Sequence, residues 1–403
     1  MHCHSVLTLT TLKFGTPAAP AEGVTLLQKS WLPGHNRGAA YLISGGGSGY
    51  EAALPGSPID GPIPREKFLI SLPFRRPPIA VALIVALAGF APPAVDPLRD
   101  SLLTMRLLDQ RVAGIGHRLA VASRDWCRER QWLAGFAIHN LSQYSADYRE
   151  PAIRAFGLDA RPAILATVEG GPADRAGLRA DDALLTIDGE ALAPAANGSF
   201  EETERMLDAI DRAFADGEAV VGVSRAGTVL SVRVEAEEGC ATRFHLIPDD
   251  DLNARADGRY VQVTTAIAGY VADDAELAAV LAHEFAHNVL GHRARLDAAG
   301  VARGFFGNFG RSARLTRETE VEADRLSVYL VDRAGFDPEA AVRFWSRFGR
   351  RGVNFLGSAT HPNWRRRLDL FRVEIDAIRR ARAAGAVPVP SFTALPPTGS
   401  VGG

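Results

Sequence analysis

Residues 275–292 read AELAAVLAHEFAHNVLGH, and the interpretation of the whole chain depends on this stretch. Its alanine-rich, apolar background is typical of a buried helix, yet it carries three histidines and a glutamate. His283 and His287 are four residues apart, which on a helix is about 40° of rotation and one turn of rise. Both imidazoles therefore project from one face, where they can bind one Zn²⁺.

Glu284 follows the first histidine and points about 100° away from it on a helix. It is therefore placed to act on water at the metal rather than to bind the metal, as in an HExxH motif with a general-base glutamate. Without a third ligand, His283 and His287 would equally be two ordinary core or surface histidines.

His292 is the nearest candidate for that third ligand. It lies nine residues after His283, a rotation of roughly 180° on an unbroken helix, so it faces away unless Gly291 ends the helix. Leu290 and Arg293 occupy the glycine and last histidine positions of the longer HExxHxxGxxH spacing. We therefore predict that His292 is not a ligand, and the sequence assigns it no role.

A better candidate lies in residues 318–327, ETEVEADRLS. Glu320 and Asp324 are four residues apart and share a helix face with small residues that allow close approach to another helix. Glu320 is predicted to bind the metal, and Asp324 to accept a hydrogen bond from a ligand imidazole and fix its tautomer. Glu318 and Glu322 fall on another face and are interpreted as solvated charges.

HEFAHNVLGH followed by EVEAD resembles the HtpX-like and CaaX-prenyl-protease-like family of gluzincin metallopeptidases. DLNARADGRYVQVTTAIAG before the helix and THPNWRRRL after it also resemble segments of that family, so the resemblance covers about 240–380. It implies one Zn²⁺ per chain, and places Asn253, His361 and Arg367 around the substrate cleft. His361 or Arg367 would then stabilise the oxyanion. Residues 365–367 are all arginines, and Arg367 is chosen among them only by its spacing from His361.

Residues 156–237 have a different sequence pattern. ILATVEGGPADRAGL, the IDG turn and a strand–helix–strand ending resemble a bacterial PDZ domain, with predicted strands at 164–168 and 183–187. In such a domain a peptide adds to an exposed sheet edge, and loop N–H groups capture its C-terminal carboxylate. We expect that loop near residues 157–161; the alternative is a domain that only spaces or gates its host.

The first part of the chain carries a compartment signal. Arg75 and Arg76 precede the apolar run 79–90 within a segment, 63–94, that has the layout of a secretory signal. The run is shorter than the ~20 residues of a membrane span, so we predict a periplasmic or secreted protein, or an inner-membrane anchor if the run is not cleaved. A buried helix is the alternative. Residues 1–62 are interpreted as a disordered extension or a mis-assigned start.

The remaining segments complete an α+β fold class, with a mainly helical gluzincin core, a small edge sheet and an inserted PDZ-like β-rich domain. We assign a long amphipathic helix and the start of the peptidase domain to 95–155, the catalytic domain to 238–384 and a disordered tail to 385–403. Cys127 and Cys240 flank the insert. Because the resemblance and the signal imply an oxidising compartment, we predict that they form a disulfide; the alternative is two buried thiols.

Composition limits the function classes. The 403 residues are 47% hydrophobic and 23% charged, with a net charge of −2, so no global field favours nucleic acid as a partner. We expect a zinc-dependent endopeptidase of the cell envelope that hydrolyses unfolded or misassembled polypeptides, with C-termini bound by the PDZ unit. Alternatives are a PDZ-based binding or chaperone protein with a gated or vestigial zinc site, and a hydrolase of a non-peptide substrate.

Overall fold

The structure is a computed structural model, and it describes two N-terminal strands by their backbone and, continuously, residues 96–192, 200–301, 310–351 and 363–392. The two strands are β1 (Leu7–Leu12) and β2 (Val24–Lys29), which pair antiparallel. The rest of 1–62 and the signal-like segment 63–94 lie outside the described residues, so the predictions for them stay predictions. None of the described helices is long and apolar enough to cross a membrane.

The described residues after the N-terminal strands are mostly helical, with a smaller share of strands. Their α-helices are α1 (Pro97–Ala122), α2 (Ala146–Phe156), α3 (Pro172–Arg175), α4 (Phe200–Ala213), α5 (Thr265–Tyr270), α6 (Asp274–Val289), α7 (His292–Ala298), α8 (Gly310–Arg333), α9 (Glu339–Gly349) and α10 (Trp364–Ala383). Their strands are β3 (Arg130–Leu133), β4 (Phe136–His139), β5 (Ala163–Thr167), β6 (Ala183–Ile187), β7 (Glu190–Ala191), β8 (Glu218–Arg225), β9 (Thr228–Glu235), β10 (Glu237–Cys240), β11 (Arg243–Ile247), β12 (Ala254–Ala256) and β13 (Tyr260–Thr264). The predicted mixed helix-and-sheet fold is confirmed.

One unit is a six-stranded antiparallel sheet in the order β4-β5-β6-β8-β9, with β7 paired to β6. Helix α4 packs on it because Met206, Ile210 and Phe214 recur at steps of four and form one apolar stripe, which is buried with Leu184 and Val221. The strands and the helix that the sequence indicates in this unit are all present.

The start of this sheet unit differs from the predicted boundary at 156. The edge strand is β4, which pairs with β5 across the intervening helix α2. A four-residue strand separated from its partner by a helix leaves too little periodicity to be recognised. The loop expected near 157–161 instead connects α2 to β5, after Gly157 ends α2 in the left-handed conformation. One edge of the sheet is therefore β4, which begins at Phe136.

The second unit is mainly helical and surrounds α6. Strands β11 and β13 are parallel, and β12 pairs antiparallel with β13 at the edge. The stretch YVQVTTAIAG is a strand only in its first half: β13 ends at Thr264, whose side chain accepts a hydrogen bond from the Ile267 N–H at 3.3 Å and caps α5. Helices α1, α8 and α9 pack on α6 and complete the core.

Helix α1 joins the two units. Asp96 caps its first turn and Pro97 follows at the first helical position, as the sequence indicates. Its buried stripe reaches Leu119, and a Cβ at Gly116 would collide with the Phe244 ring. The close approach of α1 to β11 therefore depends on this glycine.

A disulfide and a pair of short strands join the two ends of the sheet unit. Strands β3 and β10 pair antiparallel, and Cys127 and Cys240 are disulfide-bonded with their Cα atoms 5.5 Å apart. The tail predicted to be disordered from 385 differs over its first residues, because Phe392 packs under the Arg325 guanidinium at 3.8 Å and beside Tyr329. An aromatic ring inside a Pro- and Gly-rich segment gives that segment an apolar anchor.

Candidate metal centre

Helix α6, which carries His283 and His287, lies in the interior of the molecule. The Asp273 side chain accepts a hydrogen bond from the Glu276 N–H at 2.8 Å and caps the helix. Every residue from 276 to 286 is buried, because packing partners surround the helix. The shared face that the spacing of His283 and His287 predicts is therefore held in a rigid element.

Helix α8 brings a carboxylate to the same point. Its residues Ala323 and Ser327 are buried and small, which allows the close packing of α8 on α6. Glu320 Oε2 lies 3.5 Å from His283 Nε2, and Glu320 Oε1 lies 3.6 Å from His287 Nε2. Ligand atoms of these three residues all lie within 4.8 Å of one another.

The three side chains fit a zinc ion. Zinc bonds of about 2.0–2.1 Å in a tetrahedron separate neighbouring ligand atoms by roughly 3.3–3.4 Å, close to the 3.5 and 3.6 Å between Glu320 and the histidines. The His283 Nε2 atom is also buried without a hydrogen-bond partner within the described part of the chain. Such an atom is costly unless it binds something. Two imidazoles and a carboxylate are the donor set of a catalytic zinc site, which keeps a fourth position open.

The outer nitrogen of His283 faces a buried ion pair. Its Nδ1 lies 3.0 Å from Asp324 Oδ1, and Asp324 also accepts a hydrogen bond from Arg367 Nε at 3.0 Å. Burial opposes the charged carboxylate, but Arg367 and His283 hold the pKa of Asp324 below its usual value. Burial and Arg367 lower the pKa of His283, while Asp324 and Glu320 outweigh them and raise it to about 9. With a metal at Nε2, the contact with Asp324 would keep the hydrogen of the His283 ring on Nδ1.

Arg367 is buried beneath His283. The residue is 2% exposed, it pairs with Asp324, and its guanidinium stacks over the Trp345 ring at 3.4 Å. The helical register turns Arg367 inward beneath His283, where it pairs with Asp324. Its predicted contact with substrate stays a prediction. His361, the other predicted oxyanion group, lies outside the described residues.

Asn253 lies immediately before the edge strand β12. Its backbone N–H donates to Thr264 Oγ1 at 3.2 Å, and its carbonyl accepts from the Thr264 N–H at 3.0 Å. Its side-chain Oδ1 is buried and has no hydrogen-bond partner among the described residues. The structure thus places Asn253 at the edge of the sheet next to α6, and its predicted substrate contact stays a prediction. Glu284 is buried on α6 between the two histidines.

Sequence reasoning missed one partner of the site. Gly291 has a φ of +61° and follows the end of α6, so α7 starts at His292 in a new direction. His292 Nδ1 then lies 2.9 Å from His287 Nδ1, and its Nε2 lies 3.1 Å from Glu322 Oε2. Glu322, interpreted from the sequence as a solvated charge, is therefore a partner of a buried histidine. The sequence did contain a signal for this contact. Gly291 can end the helix, and only then can His292 face the site.

Comparisons with known proteins fall on this part of the chain. Residues 233–374 match the family model described as Peptidase family M48. Over 148 residues the chain is 33% identical to the mitochondrial metalloendopeptidase OMA1 of Schizosaccharomyces pombe, covering 31% of this chain and 44% of that protein. Over 130 residues it is 32% identical to the beta-barrel assembly-enhancing protease of Yersinia pestis, covering 25% of this chain and 27% of that protein. The chain spans less than half the length of these relatives.

A solved structure, HtrA-type protease AlgW with decapeptide, overlaps 27% of this chain and 30% of that chain at 20% identity. Its TM-score of 0.21 is too low to support a conclusion about the fold. The sequence similarities identify residues 233–374 as a metallopeptidase segment, so the predicted metalloprotease class is confirmed. The particular subfamily and the PDZ insert stay predictions.

Proposed function

We propose that this chain is a zinc-dependent endopeptidase of the cell envelope that hydrolyses unfolded or misassembled polypeptides. The observation that carries the proposal is the convergence of His283, His287 and Glu320, with Glu320 oxygens 3.5 and 3.6 Å from the two histidine nitrogens, close to the ligand spacing of a tetrahedral zinc site. The relative named as a beta-barrel assembly-enhancing protease supports the choice of envelope proteins as substrates.

The residues of the chain would divide the work as follows. His283, His287 and Glu320 would hold the ion, and Asp324 and Arg367 would keep His283 oriented towards it. When bound, zinc supplies a Lewis acid that polarises the scissile carbonyl and acidifies water. Glu284 would accept the proton of the attacking water and return it to the leaving amine.

The substrate would lie as an extended strand beside β12. This strand is at the edge of its three-stranded sheet, and no other strand of the described residues pairs with its outer side. Backbone pairing with such an edge positions a peptide without selecting its side chains, which suits unfolded substrates. Asn253 directly precedes β12, and its buried Oδ1 would accept a hydrogen bond from the peptide backbone.

A Glu284→Gln variant tests the mechanism. The substitution keeps the size of the side chain but removes the base, so we expect zinc to remain bound while cleavage of casein by the purified protein is lost. Glu318→Gln, on an exposed carboxylate of α8 paired with Arg314, is the matched control and should cleave normally. Retained cleavage by Glu284→Gln would refute the mechanism. If that variant also complements a deletion strain, the protein acts through binding, as a chaperone-like alternative requires.

The sheet unit would supply recognition, as a PDZ-like domain that binds C-termini. Its edge strand β4 has no second strand partner among the described residues, and α4 begins beside it, where Asn140 Nδ2 donates to Thr203 Oγ1 at 2.9 Å. Calorimetry with full-length Glu284→Gln should show binding of unstructured peptides that end in a free carboxylate and weaker binding of the same peptides with a C-terminal amide. Equal binding of both would contradict carboxylate capture.

The compartment proposed is the periplasm or the exterior of the cell. The signal-like sequence and the disulfide between Cys127 and Cys240 support it. N-terminal sequencing of the exported protein would show whether residues 79–90 are removed. An intact apolar run in a membrane fraction would instead indicate an anchored protein.

A further inference from the structure

His292 is a buried histidine that the proposed mechanism does not use. Its side chain is 1% exposed and lies against a ligand residue, at a position that an unbroken helix would turn away from the metal. The left-handed φ of +61° at Gly291 reverses the chain and makes this contact. A buried polar ring needs hydrogen-bond partners for its nitrogens.

The positions of the hydrogens follow from valence. Two neutral imidazole nitrogens 2.9 Å apart can hydrogen-bond only if one carries a hydrogen and the other does not. His287 directs Nε2 at Glu320 and the metal position, so its Nδ1 must carry the hydrogen. The Nδ1 of His292 therefore accepts, and its own hydrogen is on Nε2. That atom lies 3.1 Å from Glu322 Oε2 and donates to it.

Glu322, which accepts the hydrogen bond from His292, is itself paired with an arginine. Glu322 Oε2 also accepts a hydrogen bond from Arg295 Nη2 at 2.8 Å. The arrangement parallels that at the other ligand, where Asp324 contacts His283 and is paired with Arg367. Each ligand histidine is thus supported by a carboxylate with an arginine behind it, directly in one case and through His292 in the other.

One helix supplies all three carboxylates. Glu320 faces the metal position from α8, Asp324 lies one turn further on at His283, and Glu322 points across to α7. A shift of α8 would therefore move the third ligand and both supporting carboxylates together. The register of α8 against α6 and α7 sets the whole metal site.

We propose that His292 is a positioning residue for the metal site, which relays the carboxylate of Glu322 to His287 and fixes the orientation and tautomer of that ligand. This inference rests on the proposed function in that a metal occupies the three-ligand site. It does not depend on which substrate is cleaved or on whether cleavage occurs.

Metal affinity is the direct readout. Loss of an outer partner of a ligand histidine typically lowers metal affinity about 10–100-fold, so we expect that loss for His292→Phe in a competition assay with a chromophoric zinc chelator. His292→Asn places an amide oxygen near the position of Nδ1, keeps the acceptor for His287, and should retain most of the affinity. Because a buried site is altered in both, the melting temperature of each metal-free variant is measured alongside.

Glu322→Gln keeps the inference testable if the His292 variants fold poorly, because the Glu322 side chain is partly exposed. It should weaken zinc binding by about tenfold or less, whereas Glu318→Gln on the same helix should leave it unchanged. The absorption spectrum of the Co²⁺-substituted protein should shift in His292→Phe and Glu322→Gln and not in Glu318→Gln, which a purely structural role would not produce.

The outcomes separate the two proposals. Wild-type zinc affinity and an unchanged Co²⁺ spectrum in folded His292→Phe or in Glu322→Gln would overturn the role of His292 and leave the peptidase proposal intact. Equal losses in His292→Asn and His292→Phe, matched by equal falls in melting temperature, would also overturn it in favour of packing. A wild-type protein that binds zinc but cleaves no polypeptide would refute the proposed function alone.

Discussion

The buried ion pair between Arg367 and Asp324 offers a sharp test of where this arginine acts. The perturbation is Arg367→Leu, which removes the guanidinium and leaves a hydrophobic side chain of smaller volume. Both partners are almost fully enclosed, at 3% and 0% side-chain exposure, so solvent does little to screen the charge left on Asp324. Removing one partner of such a pair typically costs about 3–5 kcal/mol, a large part of the total stability of a domain.

The magnitude is measured by urea unfolding of the metal-free protein, followed by circular dichroism. We expect Arg367→Leu to lower the unfolding free energy by about 3–5 kcal/mol and to weaken zinc binding, because Asp324 is no longer held against His283. The neighbouring Arg366, which lines an outer groove with Arg317 and Asn363, provides the control. Arg366→Leu should change stability by no more than about 0.5 kcal/mol.

A second substitution separates the ion pair from the metal site. In Arg367→Leu combined with Asp324→Asn no unpaired buried charge remains, so much of the lost stability should return. Zinc affinity should stay low, since the carboxylate that orients His283 is gone. The reasoning is refuted if Arg367→Leu abolishes casein cleavage while stability and zinc affinity stay at wild-type values. That result would place Arg367 in contact with substrate.

Two further predictions follow from other parts of the structure. Replacing Cys127 and Cys240 by serine should lower the unfolding free energy by roughly 5 kcal/mol, because the disulfide closes a loop with a sequence separation of 113. Urea unfolding measures the loss. An intact mass of the wild-type protein that does not change with reductant would contradict the disulfide. Burial raises the pKa of Asp109 from 3.8 to about 7, so the folded protein keeps a proton there that the unfolded chain releases, and stability falls as pH rises from about 4 to 7. Asp109→Asn should remove this decline and unfold at higher urea than the wild type at pH 8 but not at pH 4; equal gains at both pH values would contradict a raised pKa for this half-buried acid.

Local spacing predicted the centre of the site. The four-residue intervals between His283 and His287 and between Glu320 and Asp324 fix faces of single helices, and helix geometry needs no tertiary information. The small residues beside Glu320 and Asp324 indicated which helix would pack on the zinc helix. The three side chains that could hold a metal ion were therefore accessible from sequence, because each belongs to a regular element with a known period.

Features that depend on a break in regular structure were not accessible. The direction of His292 depends on one dihedral angle at Gly291, and glycine permits either sign of φ at little cost. Strand β4 is recognised only through its pairing with β5, beyond the helix α2. In both cases the deciding information is a contact between segments, which hydrophobic periodicity does not carry.

The three arginines at the start of α10 show how tertiary packing selects among identical residues. Successive helical positions differ by 100°, so Arg365, Arg366 and Arg367 point in three directions. Arg365 lies over the Trp364 ring at 4.4 Å, Arg366 faces the outer groove, and Arg367 turns into the core against Trp345. Sequence register singled out Arg367 but did not indicate its partner, because the charge that it meets, Asp324, comes from another helix. Whether an arginine contacts substrate or holds a carboxylate is decided by that partner and not by the motif in which it occurs.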